Sequence, residues 1–162
     1  MLVYHGSSNI VEQPDVLHSF RPLDFGKGFY VTTNYEQAER WAKRKSDLYH
    51  LEKSFVNVYE FSEYNTGFKI KTFPDDLQEW IDFVCGCRDG NIEYREYDII
   101  IGKVANDKVF RVVDLYKAGI WDKERAIREI KVYPGYDQIA FIYQDAIESL
   151  LEFKYAQEVS HG

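Results

Sequence analysis

Hydrophobic positions change their period several times along this chain, and each change predicts an element. Residues 1–4 are apolar and predict a first strand. Residues 6–24 lose the pattern, with Pro14 and Pro22 as breakers, and predict irregular backbone. Residues 29–32 predict a second strand. Thr33 stands three residues before Glu36, a capping-box spacing, and Tyr35, Ala38, Trp41, Ala42 and Leu48 follow at helical spacing, so a helix over 34–48 is expected. Residues 56–61 alternate as a strand does. Leu77, Trp80, Ile81 and Val84 share one face of a predicted helix over 75–85. The run Ile99, Ile100, Ile101 reads as a buried strand within 97–104, flanked by Asp98 and Asp107 as cap or turn residues. Residues 109–115 read as another strand or an extended arm. Asp122 is the expected N-cap of a helix over 123–130. A strand over 139–143 and an amphipathic helix over 145–153 follow, and the tail AQEVSHG is expected to fray. The sum is one α+β domain over 1–155, with a mostly antiparallel sheet, flanking helices and a frayed tail over 156–162.

Composition narrows the function classes. The formal charge is −7 and the pI about 5.1, which argues against broad binding to nucleic-acid phosphates. The local exception is RWAKRK over 40–45, read first as the solvated face of a helix and second as a patch for an anionic ligand. Cys85 and Cys87 sit too close for a good disulfide and are too few for a zinc site, so reduced thiols and no metal are expected. No apolar run approaches the ~18 residues of a membrane span, and MLVYHGSS has no basic segment of a secretory signal. A cytoplasmic protein without a membrane partner is expected.

The stretch DFGKGFYVTT, 24–33, carries the chemistry. Gly26 and Gly28 mark a tight turn or a place where backbone comes close to something else. HGS precedes it at His5, Gly6 and Ser7; Trp41 follows on the next predicted helix; DQIAF follows late, at 137–141. In this order the chain resembles the ADP-ribosyltransferase superfamily, on its diphtheria-toxin and poly(ADP-ribose) polymerase branch, and within it an uncharacterised bacterial subgroup. The resemblance implies split antiparallel sheets around an NAD cleft, with NAD as substrate. It implies His5, Tyr30 and Gln138 as the catalytic triad. His5 would bond the adenosine ribose, Gly6 the nicotinamide amide, and Tyr30 and Trp41 would sandwich the nicotinamide ring. Ser7 and Gly28 belong to the two binding motifs, and Lys27 would touch the phosphates.

This chain departs from that pattern. Gln138 stands where the family has a glutamate, and Ala38 where it has a serine. An amide carries no charge and takes no proton, and general-base help is worth ~10²–10⁴-fold. Chain elongation is therefore not expected, and mono-transfer, slow glycohydrolysis or binding alone remain; a faster rate in Gln138→Glu would place position 138 at the ribose. Asp137 and Glu148 are the nearby acids that could substitute for the missing carboxylate. The implied acceptor is a protein or a nucleic acid. The implied setting is a toxin–antitoxin or phage-defence pair with a small antitoxin protein. A different class is a non-catalytic NAD or ADP-ribose binding module. An NAD-dependent RNA 2′-phosphotransferase-like enzyme would need basic residues, which only 40–45 offers.

Overall fold

In the computed structural model, which describes residues 1–18, 23–63, 67–133 and 135–159, the first half of the chain runs β1 (Leu2–Ser7), β2 (Phe29–Val31), α1 (Tyr35–Leu48), β3 (Phe55–Phe61), β4 (Ile70–Thr72) and α2 (Gln78–Arg88). The second half runs β5 (Ile99–Lys103), α3 (Asp107–Lys117), α4 (Lys123–Val132), β6 (Asp137–Phe141), α5 (Gln144–Leu150) and β7 (Leu151–Glu158). Short 3₁₀ turns lie at Val16–His18 and Glu93–Glu96. Two sheets result. One has the order β1-β3-β7 and is antiparallel; the other has the order β2-β6-β5-β4, parallel only between β4 and β5. They meet edge to edge at one bridge, where Tyr4 and Thr32 exchange N–H···O bonds of 2.8 and 2.9 Å.

Alternation decides what each face of the β2-β6-β5 sheet buries. Phe29, Val31, Ile99, Ile139 and Phe141 pack with Val3, Tyr59 and Phe61 of the other sheet and with Ala146 and Ile147 of α5. Tyr30, Ile100 and Ala140 point the other way, into a core with Trp80, Ile81, Val109, Val113, Ala126 and Ile130 from α2, α3 and α4. Helix α1 covers β1 and β3 through Ala38, Ala42, Val56 and Val58.

The structure corrects several expectations. Residues 109–115 lie in a helix, not a strand or arm. Asn106 caps it by accepting the Val109 N–H, and the buried Val109, Val112 and Val113 fall at helical spacing. β-Branched valines favour strands, but their spacing and the cap prevail. The helix expected over 145–153 stops at Leu150, and the chain turns at once into β7. Residues 156–158 are therefore paired rather than frayed: Ala156, Gln157 and Glu158 face Asn57, Val56 and Phe55, so the ordered fold runs past 155. Val159 is buried and its N–H donates to the Ser54 carbonyl, and the last residues of the expected tail, 160–162, lie outside the described residues, as does Pro22. Asn34, not Thr33, caps α1 by accepting the Gln37 N–H at 2.8 Å, while the Thr33 hydroxyl donates to Asp137. Strand β4 was not expected. Asp122 caps α4 as predicted.

Candidate functional site

The first motif sits where the two sheets part. After the Tyr4–Thr32 bridge, β1 and β2 make no further backbone pair, and His5 takes over the junction. Its Nδ1 lies 2.7 Å from the Tyr30 carbonyl. A carbonyl only accepts, so Nδ1 carries the proton and Nε2 keeps the lone pair when the ring is neutral. The imidazole lies against Phe29, with ring centres 4.3 Å apart. His5 thus meets Tyr30 through its backbone, not its ring. The loop after HGS is held from β3: Asn57 donates to the His5 and Asn9 carbonyls and accepts the Val11 N–H, and the Tyr59 hydroxyl donates to the Val11 carbonyl. Ser7 is buried and accepts the Asn9 N–H.

The protein's own groups fill the space beside the glycines. A Cβ on Gly6 would strike the backbone of α1 at Ala38 and Ala42 and come within 3.0 Å of the Trp41 Cβ. Gly26 has φ +88° and lies under the Tyr94 ring; a Cβ on Gly28 would meet the Phe141 carbonyl. The tight spots dock a helix, an aromatic ring and a strand end. Tyr30 closes the turn, since its hydroxyl donates to the Gly26 carbonyl at 2.6 Å and accepts the Phe25 N–H at 2.9 Å. The ring is 7% exposed and stacks on Phe25.

Gln138 leads to the residue that sequence reading missed. Its Nε2 donates to Asp24 Oδ2 at 3.0 Å and approaches the Lys103 carbonyl at 3.4 Å. Asp24 also accepts from Arg88 at 3.0 Å and from the Ala105 N–H at 3.0 Å. Arg88 in turn covers the Phe110 ring. Burial pushes the Asp24 carboxyl up; Arg88, the Ala105 N–H and the Gln138 amide pull it down, and burial wins. Burial, and next to it the Asp24 charge, push the Tyr30 phenol well above 10.0. The same two causes push the Cys87 thiol up to about 12. Asp24, Tyr30 and Gln138 therefore form one buried polar cluster on the helix-covered face of the sheet. The acids expected near Gln138 are elsewhere: Asp137 is held by Thr33, and Glu148 is exposed on α5.

The remaining candidates frame this cluster. Trp41 is half-buried beside Gly6, Ala38 is fully buried in the packing of α1, and Lys27 is exposed just after the turn closed by Leu23 and Gly26. Much of the basic run is engaged locally: Arg40 donates to Gln37 and lies over Tyr136, and Arg44 pairs with Asp107 at 2.6 Å. Arg40, Lys43, Arg44, Asp47, Leu48 and Asp107 line an open groove of about 580 Å³. A second cavity of about 600 Å³ is lined by Gly67, Lys69 and residues 95–98. Neither contains His5, Tyr30 or Gln138. Among the described residues no group of acids, histidines and cysteines is arranged to hold a metal, and no helix is long and apolar enough to cross a membrane.

A family model described as "Protein of unknown function (DUF3990)" matches residues 1–153. The chain belongs to the DUF3990 family. The DUF3990 match starts at Met1, just before β1, and ends within β7, so it takes in His5, the glycine turn, Asp24 and Gln138 together. Compared with curated proteins, the chain finds no match.

Proposed function

We propose that this DUF3990 protein is an NAD-dependent mono-ADP-ribosyltransferase whose site lies where β1 and β2 part. The observation that carries the reading is the seam itself. One backbone bridge, Tyr4–Thr32, joins two sheets, His5 stands immediately beyond it, and α1 brings Trp41 against Gly6. Split sheets with a histidine at the split suit the resemblance carried by HGS and FGKGFY. In this reading His5 and Ser7 hold the adenosine side, Trp41 and Tyr30 hold the nicotinamide, Lys27 reaches the phosphates, and Gln138 meets the ribose from β6. Tyr30 supports the site as well as lining it, because its hydroxyl fixes the turn that carries Lys27. The acceptor is a protein or a nucleic acid. Uncontrolled transfer inside a cell is harmful, so a small neutralising protein in a toxin–antitoxin or phage-defence pair fits the chemistry.

One observation favours a second reading, a binding module that retains NAD without cleaving it. The Tyr30 hydroxyl and the Gln138 amide both end on the protein's own groups. The test is nicotinamide release from NAD by purified protein, with NAD binding followed by calorimetry. The transferase reading expects release from wild type and its loss in His5→Ala. Binding without release selects the module, and absence of both rejects the NAD site.

A further inference from the structure

We infer that Asp24 is the positioning residue for Gln138: it fixes which end of the amide faces a ligand, and so makes a glutamine, not a glutamate, the residue that fits position 138. The ligand part of this inference rests on the proposed NAD site; the pairing part rests on geometry alone.

A glutamine amide has a donor end and an acceptor end of nearly the same shape, and its neighbours decide which way it points. Here both neighbours on one side are acceptors. Asp24 Oδ2 lies 3.0 Å from Nε2 and the Lys103 carbonyl lies 3.4 Å away. Flipping the amide would set its oxygen against a carboxylate and a carbonyl. The carbonyl Oε1 is therefore the end turned away from both, a neutral acceptor held in one orientation. It suits a hydroxyl or N–H donor on a ligand, and in the proposed reaction that donor belongs to the ribose.

The carboxylate is itself held. Arg88 from α2 takes Oδ1, and the Ala105 N–H takes Oδ2 together with Gln138. Asp24 is 6% exposed and Gln138 is 3% exposed, so water competes little for these bonds. A glutamate at 138 would set a second carboxylate in bonding range of the first. Two such groups at this distance do not both ionise in a buried site. A glutamate at 138 is therefore not expected to speed turnover. The charged and titratable groups facing the pair are Arg88 and Cys87 of α2, Tyr30 of β2, and Tyr94, whose ring covers Gly26. Arg88 stays charged, and burial keeps Tyr30 and Cys87 neutral at moderate pH. A pH effect in a Gln138→Glu variant between pH 5.5 and 8 thus reports the carboxylate pair.

Four proteins are compared: wild type, Gln138→Glu, Asp24→Asn and the double variant Asp24→Asn/Gln138→Glu. Melting temperature is read at pH 5.5 and 8; NAD affinity and nicotinamide release are read with NAD itself. Gln138→Glu is expected to melt about 5–10 °C below wild type at pH 8, and to lose less at pH 5.5, where the pair holds a proton. The double variant restores a donor facing a carboxylate, and is expected to regain most of that loss. Asp24→Asn frees the amide to turn, and is expected to weaken NAD binding or release about tenfold, with the double variant recovering it. Gln138→Glu as stable as wild type at pH 8, with no recovery in the double variant, overturns the pairing. Stabilities that follow the pattern while NAD binding and release stay at wild-type levels in Asp24→Asn overturn the positioning role. If wild type neither binds nor cleaves NAD, the proposed function and this role toward it fall together, and the melting temperatures still decide the pairing.

Discussion

The two faces of the β2-β6-β5 sheet are built from the same strands and bury different chemistry. Toward the three-stranded sheet, Phe29, Val31, Ile99, Ile139 and Phe141 give an apolar layer with His5 against Phe29. Toward α2, α3 and α4, the alternate positions Tyr30, Ile100 and Ala140 share the space with Asp24, Gln138 and Arg88. The apolar face is non-directional and tolerates no specific partner exchange. The polar face is directional, so each member depends on a named partner. The difference teaches where to look for chemistry: one face fixes the seam, and the other holds the groups that orient Gln138.

This comparison can be broken at either face. Phe29→Ala is expected to cost most, about 3–5 kcal/mol, and no second substitution should recover it, because a cavity has no partner to remove. Denaturant unfolding measures this. Arg88→Ala is expected to cost about 3 kcal/mol by leaving the Asp24 charge buried without its cation. Here a second change should help: Arg88→Ala with Asp24→Asn should be clearly more stable than the two losses added, as a double-mutant cycle would show. Additive losses would mean that the polar face behaves like the apolar one.

Gly6→Ala tests the seam between the two sheets. The new Cβ meets the α1 backbone at Ala38 and Ala42, which cannot rotate away, so a loss of about 1–3 kcal/mol is expected without any ligand. An unchanged melting temperature would return Gly6 to a role reserved for a ligand. A further effect comes from pH. The Cys87 thiol is raised from 9.0 to about 12 in the fold, so the folded chain keeps a proton that the unfolded chain loses above pH 9. Its stabilising contribution is fully present below pH 9 and is lost as pH rises toward 12, at up to about 1.4 kcal/mol per pH unit. Urea unfolding at pH 8, 9.5 and 10.5 should show a shallower decline for Cys87→Ala than for wild type.

Much of the scaffold was legible in the sequence. The alternation of 56–61, the isoleucine run and the Asp122 cap each led to the element observed, because local spacing and capping decide them. Residues 109–115 misled because valine favours strands while the spacing of Val109, Val112 and Val113 is helical. Strand β7 was hidden because its exposed edge position requires little hydrophobic signal, and its partner β3 lies about a hundred residues earlier. At the candidate site, the glycines of HGS and FGKGFY correctly announced close approach. Their neighbours, α1, Tyr94 and Phe141, come from distant positions that no local spacing reveals. Asp24 stands in DFGKGFYVTT but gives no local sign of its role, because its partners Arg88 and Gln138 are 64 and 114 positions away. An aspartate placed before an apolar-glycine turn, far from any capping position, was the signal available.

Amide hydrogen exchange with and without NAD tests most directly the proposal that NAD binds where β1 and β2 part. Slower exchange is expected at residues 5–7, 26–31 and 138–140 when NAD is present, with no change at 95–98 beside the second cavity. Protection confined to 95–98 or to the groove along α1, or no protection at saturating NAD, would contradict it.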